Sequence, residues 1–158
     1  MPVIHLIHGY LGVGKTTLAR RLERDCPAMR FTHDEWMIRL CGDDPPESQF
    51  KQMYPRVLSL ITDQWHRCIE LGQDVVLDSG YWSRAERDEI RAQAAELGAE
   101  IRLYDVRCPD DEAWARLDRR NAHGPGELLV TRSTFETLRA NFEPLAEDEE
   151  RVIVENAA

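Results

Sequence analysis

The sequence contains very little lysine. Lys15 and Lys51 are the only lysines among its 20 lysine and arginine residues. The formal net charge of -9 at pH 7 argues against a generic cationic surface for binding phosphate backbones, because such binding depends on clustered positive charge. A lysine in this arginine-rich chain is therefore expected to have a specific role, which draws attention to Lys15.

The sequence also lacks the patterns of membrane, secreted and zinc proteins. No segment approaches the roughly 18 consecutive apolar residues of a membrane span, and the N-terminus lacks the charged and apolar regions of a signal peptide. The four cysteines form no C-x-x-C pair, and the five histidines form no H-x-x-x-H pair. We therefore expect reduced cysteines, no transition-metal site and a cytoplasmic location.

Apolar strand-like segments alternate with amphipathic helical segments along the chain. Strands are predicted at 3–8, 29–32, 74–78, 101–106 and 151–155, and helices at 14–24, 35–40, 48–71, 83–97, 110–120 and 133–141. Strands separated by helices need crossover connections, which favours a parallel sheet. The sequence predicts one α/β domain over 1–158, with three layers, a mainly five-stranded parallel sheet and helices on both faces.

Local signals mark the ends of several helices. Ser83 and Ser133 each precede a glutamate by three residues, Glu86 and Glu136, which is the spacing of a capping box. Pro55 lies inside the long helical pattern, where a missing N–H is expected to kink or restart the helix. These signals fix the expected helix starts.

A glycine-rich motif follows the first predicted strand and precedes the first predicted helix. It fits G-x-x-x-x-G-K-[ST] in full and predicts a phosphate loop. Backbone N–H groups and the helix N-terminus would face the phosphates, Lys15 would reach the β- and γ-phosphates, and Thr16 would ligate Mg²⁺. The predicted nucleotide-binding residues are Gly9, Tyr10, Leu11, Gly12, Val13, Gly14, Lys15, Thr16 and Thr17.

The remaining motifs narrow the class of nucleotide-binding protein. The guanine-binding N-K-x-D of GTPases is absent, and D-x-x-G fails because Tyr81 occupies the glycine position after Asp78. The chain is also short for a motor or ring ATPase. Small phosphotransferases remain the best class.

Four segments together carry a resemblance to a known group. Residues 12–19, 33–36, 75–78 and 116–120, read in this order, resemble the P-loop kinases. The similarity is strongest to the predicted-kinase group with an AAA-type ATP-binding domain, related to phage polynucleotide kinase, chloramphenicol phosphotransferase, zeta toxin and the gluconate and shikimate kinases. The resemblance covers most of the chain and implies ATP and Mg²⁺ as cofactors.

Two aspartates are the candidate acidic groups of a kinase site. In the resembling kinases an aspartate at the position of Asp34 approaches the acceptor hydroxyl, so Asp34 is predicted to be the catalytic base. Its alternative role is an N-cap of the helix beginning at Glu35. Asp78 closes an apolar strand like a Walker B acid and is predicted to hold Mg²⁺ with Thr16; its alternative is a strand-end turn.

The acceptor is expected to bind in the region of about 34–56 and beside the segment after Asp78. Asp34, Arg39, Tyr81 and Trp82 are the candidate acceptor-binding residues. Core packing is an alternative for Trp82. The sequence does not name the acceptor.

Arginines on two predicted helices have different expected roles. Arg116, Arg119 and Arg120 lie at i, i+3 and i+4 before a glycine-proline-glycine loop, like a kinase lid over about 116–132, and Arg116 and Arg120 are the predicted catalytic contacts. A solvated salt-bridged face is their alternative. The stripe of Arg84, Arg87 and Arg91 is expected to form surface salt bridges with Glu86 and Asp88.

Three functional hypotheses follow. The first is an ATP- and Mg²⁺-dependent kinase acting on a hydroxyl of a small molecule. The second is a polynucleotide 5′-hydroxyl kinase, which the arginine stripes favour and the acidic net charge disfavours. The third is a non-catalytic module in which the nucleotide controls binding of a protein partner. No membrane partner is expected, and the oligomeric state is not predicted.

Overall fold

The computed structural model of the chain describes residues 1–122 and 128–156. The strands are β1 (Val3–His8), β2 (Met29–Thr32), β3 (Val75–Gly80), β4 (Glu100–Arg107) and β5 (Val152–Glu155). The helices are α1 (Lys15–Asp25), α2 (His33–Cys41), α3 (Glu47–Glu70), α4 (Arg84–Leu97), α5 (Asp110–Ala122) and α6 (Arg132–Thr137), and a 3₁₀ turn follows at Leu138–Asn141. The predicted glycine-proline-glycine loop at 124–126 lies outside the described residues.

The five strands form one sheet in the order β2-β3-β1-β4-β5. Every neighbouring pair is parallel, so all five carboxyl ends meet at one edge. From β1 the chain crosses to the edge strand β2, returns to β3 and then crosses to β4 and β5 on the other side of β1. Ligands bind at such a switch point in open α/β sheets. The predicted α/β fold with a five-stranded parallel sheet is confirmed.

Alternate residues of β1 enter two separate hydrophobic cores. Ile4 and Leu6 pack in the core that contains residues of α3 and α4. Ile7 packs in the core that contains residues of α1 and α5. Because side chains alternate across a strand, this division places helices on both faces of the sheet, as predicted.

The long helix does not restart at its proline. Helix α3 is continuous from Glu47 to Glu70 with Pro55 inside it. An interior proline costs roughly 3 kcal/mol relative to alanine. Downstream of Pro55, a buried face spaced by four residues, at Val57, Ile61, Trp65 and Ile69, holds the helix against the core. Of the predicted kink or restart, the restart was wrong, because this apolar burial outweighs the lost hydrogen bond.

The two predicted capping boxes have different outcomes. Ser83 caps α4, accepting from the Glu86 N–H at 3.1 Å while the Glu86 carboxylate accepts from the Ser83 N–H. Helix α6 instead uses Thr131, whose hydroxyl accepts from the Thr134 N–H at 3.1 Å. Ser133 is therefore inside the helix, and its predicted cap was wrong because Thr131 also meets the three-residue capping distance.

No helix within residues 1–122 and 128–156 has the length and apolar character that crossing a membrane requires.

The packing of α3 gives a stability test. Replacing Trp65, which is 1% exposed, by alanine should lower the free energy of unfolding by about 3–5 kcal/mol, because it leaves a cavity. Leu60→Ala is the matched control on the same helix, since Leu60 is 53% exposed, and should change it by less than about 0.5 kcal/mol. Urea unfolding of both variants measures the difference. Equal losses would contradict the assignment of the buried face.

Candidate active site

The loop between β1 and α1 contains glycines at positions where a side chain would not fit. Gly12 has φ of 74° and Gly14 has φ of 99°, a region that favours glycine. A Cβ on Gly12 would lie 2.5 Å from the Ala113 carbonyl oxygen, and one on Gly14 would lie 1.9 Å from the Asn156 amide nitrogen. Contacts from α5 and from the end of β5 therefore fix the loop.

The side chains of the loop divide between binding and packing. Tyr10 is 2% exposed, and its ring packs against Trp82, Phe135 and Phe142. Its hydroxyl donates to the Phe135 carbonyl oxygen. The Tyr10 side chain therefore anchors the loop in the core, which leaves its backbone for the predicted contact with a nucleotide. Thr17, by contrast, is exposed.

Lys15 starts α1 directly after the loop. Its ammonium donates to the Tyr10 carbonyl oxygen at 2.7 Å. Burial lowers the pKa of Lys15, and the nearby negative charges of Asp78 and Asp34 oppose that shift. The lysine is therefore positioned beside both predicted acidic groups.

The carboxylate of Asp78 joins three elements at the sheet edge. Its Oδ2 accepts from the Thr16 hydroxyl at 2.9 Å and from the Thr32 hydroxyl at 3.0 Å. Burial raises the pKa of Asp78, while Lys15 and both threonines favour the ionised form. Thr16 and Asp78, the predicted ligands of Mg²⁺, are therefore hydrogen-bonded to each other. Asp78 lies inside β3, which continues to Gly80, so the predicted strand end at 78 and the alternative role of Asp78 as a strand-end turn are wrong.

Thr32 is a site residue that the sequence analysis missed. It ends β2 and is aligned with Asp78 on β3. The Arg30 guanidinium donates to the Thr32 hydroxyl at 2.7 Å and to Glu35 at 2.9 Å. The available signal was its position at the end of a predicted strand, since neighbouring parallel strands place residues that are partners in register side by side.

The oxygens of Thr16 and Asp78 fit a magnesium ion. Mg²⁺ prefers oxygen ligands, and it is usually held by one or two protein groups together with water and phosphate. Over the described part of the chain, no three or more His, Cys, Asp and Glu side chains are grouped to hold a metal ion. The pair therefore suits an ion that a nucleotide completes and does not form a closed protein cage.

Asp34 lies in the first turn of α2, which begins at His33. The N-cap is Thr32, so the alternative role of Asp34 as the cap is wrong: the Thr32 hydroxyl binds Asp78 and α2 starts earlier than predicted. Asp34 is exposed. Its carboxylate interacts electrostatically with Lys15 and Asp78, and no hydrogen bond or salt bridge joins it to another described residue.

The other predicted acceptor residues are in different environments. The indole N–H of Trp82 donates to the Gly9 carbonyl oxygen at 3.0 Å, so Trp82 packs on the phosphate loop. Tyr81 is 8% exposed beside Tyr54, whose pKa burial raises to about 12. Arg39 is exposed on α2, about 140° around the helix from Asp34 at roughly 100° per residue, and the structure does not join it to this group.

Two of the predicted lid arginines lie beside the phosphate loop. Arg116 donates to the Asn156 carbonyl oxygen at 2.8 Å, and its guanidinium is 3.6 Å from a Cβ built on Gly14. The positive charge of Arg120 lowers the pKa of Lys15. Arg116 therefore contacts the segment beside the loop, while Arg120 donates to the Leu128 carbonyl oxygen at 3.4 Å and lies within electrostatic range of Lys15. Residues 123–127 of the expected lid lie outside the described residues.

Asn156 is a second residue that the sequence analysis missed. Its side-chain amide donates to the Val13 carbonyl oxygen at 2.8 Å, and its backbone N–H donates to the Arg107 carbonyl oxygen at 2.8 Å. It follows β5 directly and ties the last strand to the phosphate loop. Only its place after a predicted strand could have indicated this role.

A glycine-rich loop between β1 and α1, with an aspartate of the neighbouring strand β3 hydrogen-bonded to the threonine after the loop lysine, defines a P-loop nucleotide-binding protein. Residues 4–145 match the model of the AAA domain family AAA_33. The chain belongs to this family. The predicted resemblance to the P-loop kinase group is confirmed.

Solved structures share the fold over nearly the whole chain. A Chloroflexus aurantiacus protein, provisionally assigned as a kinase, is 16% identical with a TM-score of 0.80, covering 99% of this chain and 89% of its own. A gluconokinase from Sinorhizobium meliloti 1021 is 16% identical with a TM-score of 0.68, covering 98% and 83%. A chain of the Pnkp1/Rnl/Hen1 RNA repair complex is 19% identical with a TM-score of 0.72, covering 89% and 43%.

Comparison with curated proteins gives no significant match.

The close contact of Gly12 with α5 gives a test of the loop. Gly12→Ala should weaken ATP binding at least tenfold, because its Cβ would meet the Ala113 carbonyl oxygen at 2.5 Å. Gly72→Ala is the matched control: its φ is 80° and a Cβ there meets nothing within 4 Å, so it adds backbone strain of about 1–2 kcal/mol without a clash. Equilibrium binding of ATP to both variants measures the effect. Equally unchanged affinities would refute the proposed loop packing.

Proposed function

We propose that the protein is a phosphotransferase that moves the γ-phosphoryl group of ATP, with Mg²⁺, to a hydroxyl group of a small molecule. The observation that carries the proposal is the environment of Asp34. This exposed carboxylate, which has no hydrogen-bonding partner among the described residues, interacts electrostatically with Lys15 and Asp78. A general base must come within hydrogen-bonding distance of the proton that it takes, and the carboxylate of Asp34 can make that contact without first breaking another hydrogen bond.

The phosphate loop and α5 supply positive charge. Magnesium, when bound, would neutralise phosphate charge. Thr16 and Asp78 would hold that ion through the two oxygens that are hydrogen-bonded to each other in this structure. Lys15 would exchange the Tyr10 carbonyl oxygen for phosphate oxygens. Arg116 and Arg120 would stabilise negative charge on the phosphoryl group during transfer.

Asp34 would orient the acceptor and receive its proton. The acceptor oxygen forms a bond to the γ-phosphorus while the bond from that phosphorus to the bridging oxygen of ADP breaks. The hydroxyl proton passes to the Asp34 carboxylate, so charge and atoms balance.

Asp34→Asn tests this assignment. The variant should bind ATP within about twofold of the original affinity but lower the transfer rate by about 10²- to 10⁴-fold, which is the usual contribution of a general base. Transfer of labelled γ-phosphate to a fractionated small-metabolite extract gives the rate. Lys15→Ala serves as the blank, and Asp63→Asn, an exposed aspartate in the middle of α3, serves as the matched control. Undiminished transfer by Asp34→Asn would overturn the assignment of the base.

A polynucleotide 5′-hydroxyl kinase is the second candidate. The structural similarity to a chain of an RNA repair complex and the arginines of α5 favour it, while the net charge of -9 weighs against it. Label on a 5′-hydroxyl oligonucleotide in the same assay, with binding that falls steeply with salt, would select it. Tight ATP binding with label on neither acceptor would instead select the nucleotide-controlled binding module.

A further inference from the structure

Arg87 is completely buried, although its position in a stripe of arginines predicted a surface salt bridge. Its relative exposure is 0%, whereas Arg91 on the next turn of α4 keeps 30% of its side chain exposed. Arginine is almost never fully buried unless it is paired. The predicted surface role was therefore wrong for Arg87, and its partners explain why.

The guanidinium of Arg87 joins two separate segments. One side forms a bidentate pair with Glu149, with Nε to Oε1 at 2.8 Å and Nη2 to Oε2 at 3.1 Å. The other side, through Nη1, faces the carbonyl oxygens of Tyr81 at 2.9 Å, Trp82 at 2.9 Å and Glu143 at 3.3 Å. The planar, five-donor geometry of arginine makes this double role feasible.

The carboxylate of Glu149 accepts hydrogen bonds from two further groups besides Arg87. Its carboxylate also accepts from Arg91 at 2.7 Å and from the Ala146 N–H at 2.8 Å. Burial alone would raise the pKa of Glu149, but the hydrogen bonds from Arg87, Ala146 and Arg91 hold it well below its usual range. The buried pair is therefore ionised and firmly held.

The turn that Arg87 holds is strained. Tyr81 has φ of 44° and is the one non-glycine residue with positive φ in the described part of the chain. A side chain that bulky rarely adopts this conformation, which persists where the surroundings impose it. Its carbonyl oxygen accepts from both Arg87 and the buried His8 ring, at 2.9 Å each.

The strained turn lies between the two halves of the candidate active site. It follows Asp78 by three residues, and the next residue, Trp82, donates to the phosphate-loop carbonyl of Gly9. The Tyr81 phenol is buried near Tyr54 and Asp78. Strained backbone conformations of this kind concentrate at functional sites. Here the positive φ sets the direction in which the Tyr81 side chain projects.

We propose that Arg87 is a positioning residue that holds the Gly80–Trp82 turn so that Tyr81 forms a fixed wall of the acceptor site. This proposal rests on the proposed phosphotransferase function. Arg87 touches neither ATP nor acceptor in this role; it acts through the Tyr81 and Trp82 carbonyl oxygens. Loss of the arginine should allow the turn to relax and should weaken acceptor binding. Nucleotide binding should be retained, because Ala113 on α5 and Asn156 also hold the phosphate loop.

The neighbouring Arg91 separates this role from simple stabilisation. Both arginines bind Glu149, but the hydrogen bonds to the turn come from Arg87. Arg87→Lys keeps the positive charge, but the compact lysine ammonium group cannot donate hydrogen bonds to the carboxylate and to the turn carbonyl oxygens in the way the planar guanidinium does. Arg91→Lys weakens the same ion pair and leaves the turn contacts in place, so it is the matched control.

The experiment combines a conformational and a functional readout. Hydrogen–deuterium exchange of the peptide covering residues 79–83 reports on the turn, and titration of a fluorescent ADP analogue reports on the phosphate loop. Labelled phosphate transfer from ATP, measured against increasing amounts of the small-metabolite extract, gives the amount of extract needed for half-maximal transfer. Circular dichroism confirms that each variant is folded.

For Arg87→Lys we expect hydrogen exchange in the turn to be at least tenfold faster than in the original protein. The amount of extract needed for half-maximal transfer should be tenfold larger, and the affinity for the ADP analogue should stay within twofold. For Arg91→Lys we expect all three within twofold. Unchanged exchange in Arg87→Lys, or equal effects in both variants, would overturn the positioning role. An original protein that transfers no label would contradict the proposed function instead, while the exchange result would still decide whether Arg87 holds the turn.

Tyr81→Gly tests the same role without disturbing the ion pair, and it replaces Arg87→Lys if that variant does not fold. Glycine accepts the positive φ without strain and removes the wall. It also leaves a cavity, because Tyr81 is a core residue that is 8% exposed, so circular dichroism must show that this variant is folded. The extract requirement should rise at least tenfold with analogue affinity within twofold. An unchanged requirement would refute the idea that this turn shapes the acceptor site.

Discussion

The carboxylate of Asp78 is the contact on which the arrangement of the site depends. It receives hydrogen bonds from Thr16 at the start of α1 and Thr32 at the end of β2, so one oxygen joins three elements. This is possible because β1, β2 and β3 are parallel and neighbouring, which brings their carboxyl ends to one edge. The phosphate loop, the predicted metal ligands and the predicted base all adjoin this point.

The electrostatics of the edge follow from its partial exclusion of water. Burial lowers the pKa of Lys15 and raises that of Asp78, and the opposite charges of the two groups offset both shifts. Each charged group is thus held by its neighbours and not by solvent. Such a fixed arrangement suits phosphoryl transfer, where the protein contributes mainly positioning and charge stabilisation. A site that depends on mutual positioning needs rigid support, which the buried pair of Arg87 and Glu149 provides beside it.

Two interpretations of the sequence, the alternative cap role of Asp34 and the surface role of Arg87, failed because a local signal competed with a tertiary contact. Asp34 is a residue type that commonly caps helices, but Thr32 occupies the N-cap position of α2. The Thr32 hydroxyl donates to Asp78. The arginine stripe of α4 has the spacing of a surface face, yet the segment that contains Glu149 covers Arg87. In each case the deciding partner lies tens of residues away in the chain, where helix periodicity and capping rules carry no information.

The sequence by itself determined the α/β class, the five strands and the phosphate loop, because these depend on local periodicity, glycine conformation and the types of residues that bind phosphate. It also identified Asp34, Asp78 and the arginines of α5 as candidates. The tertiary structure alone decided that Thr32 and Asn156 join the site and that Arg87 is buried against Glu149. Those roles arise from strand order and from chain segments that cover one another, and such contacts have no sequence spacing from which they could be read.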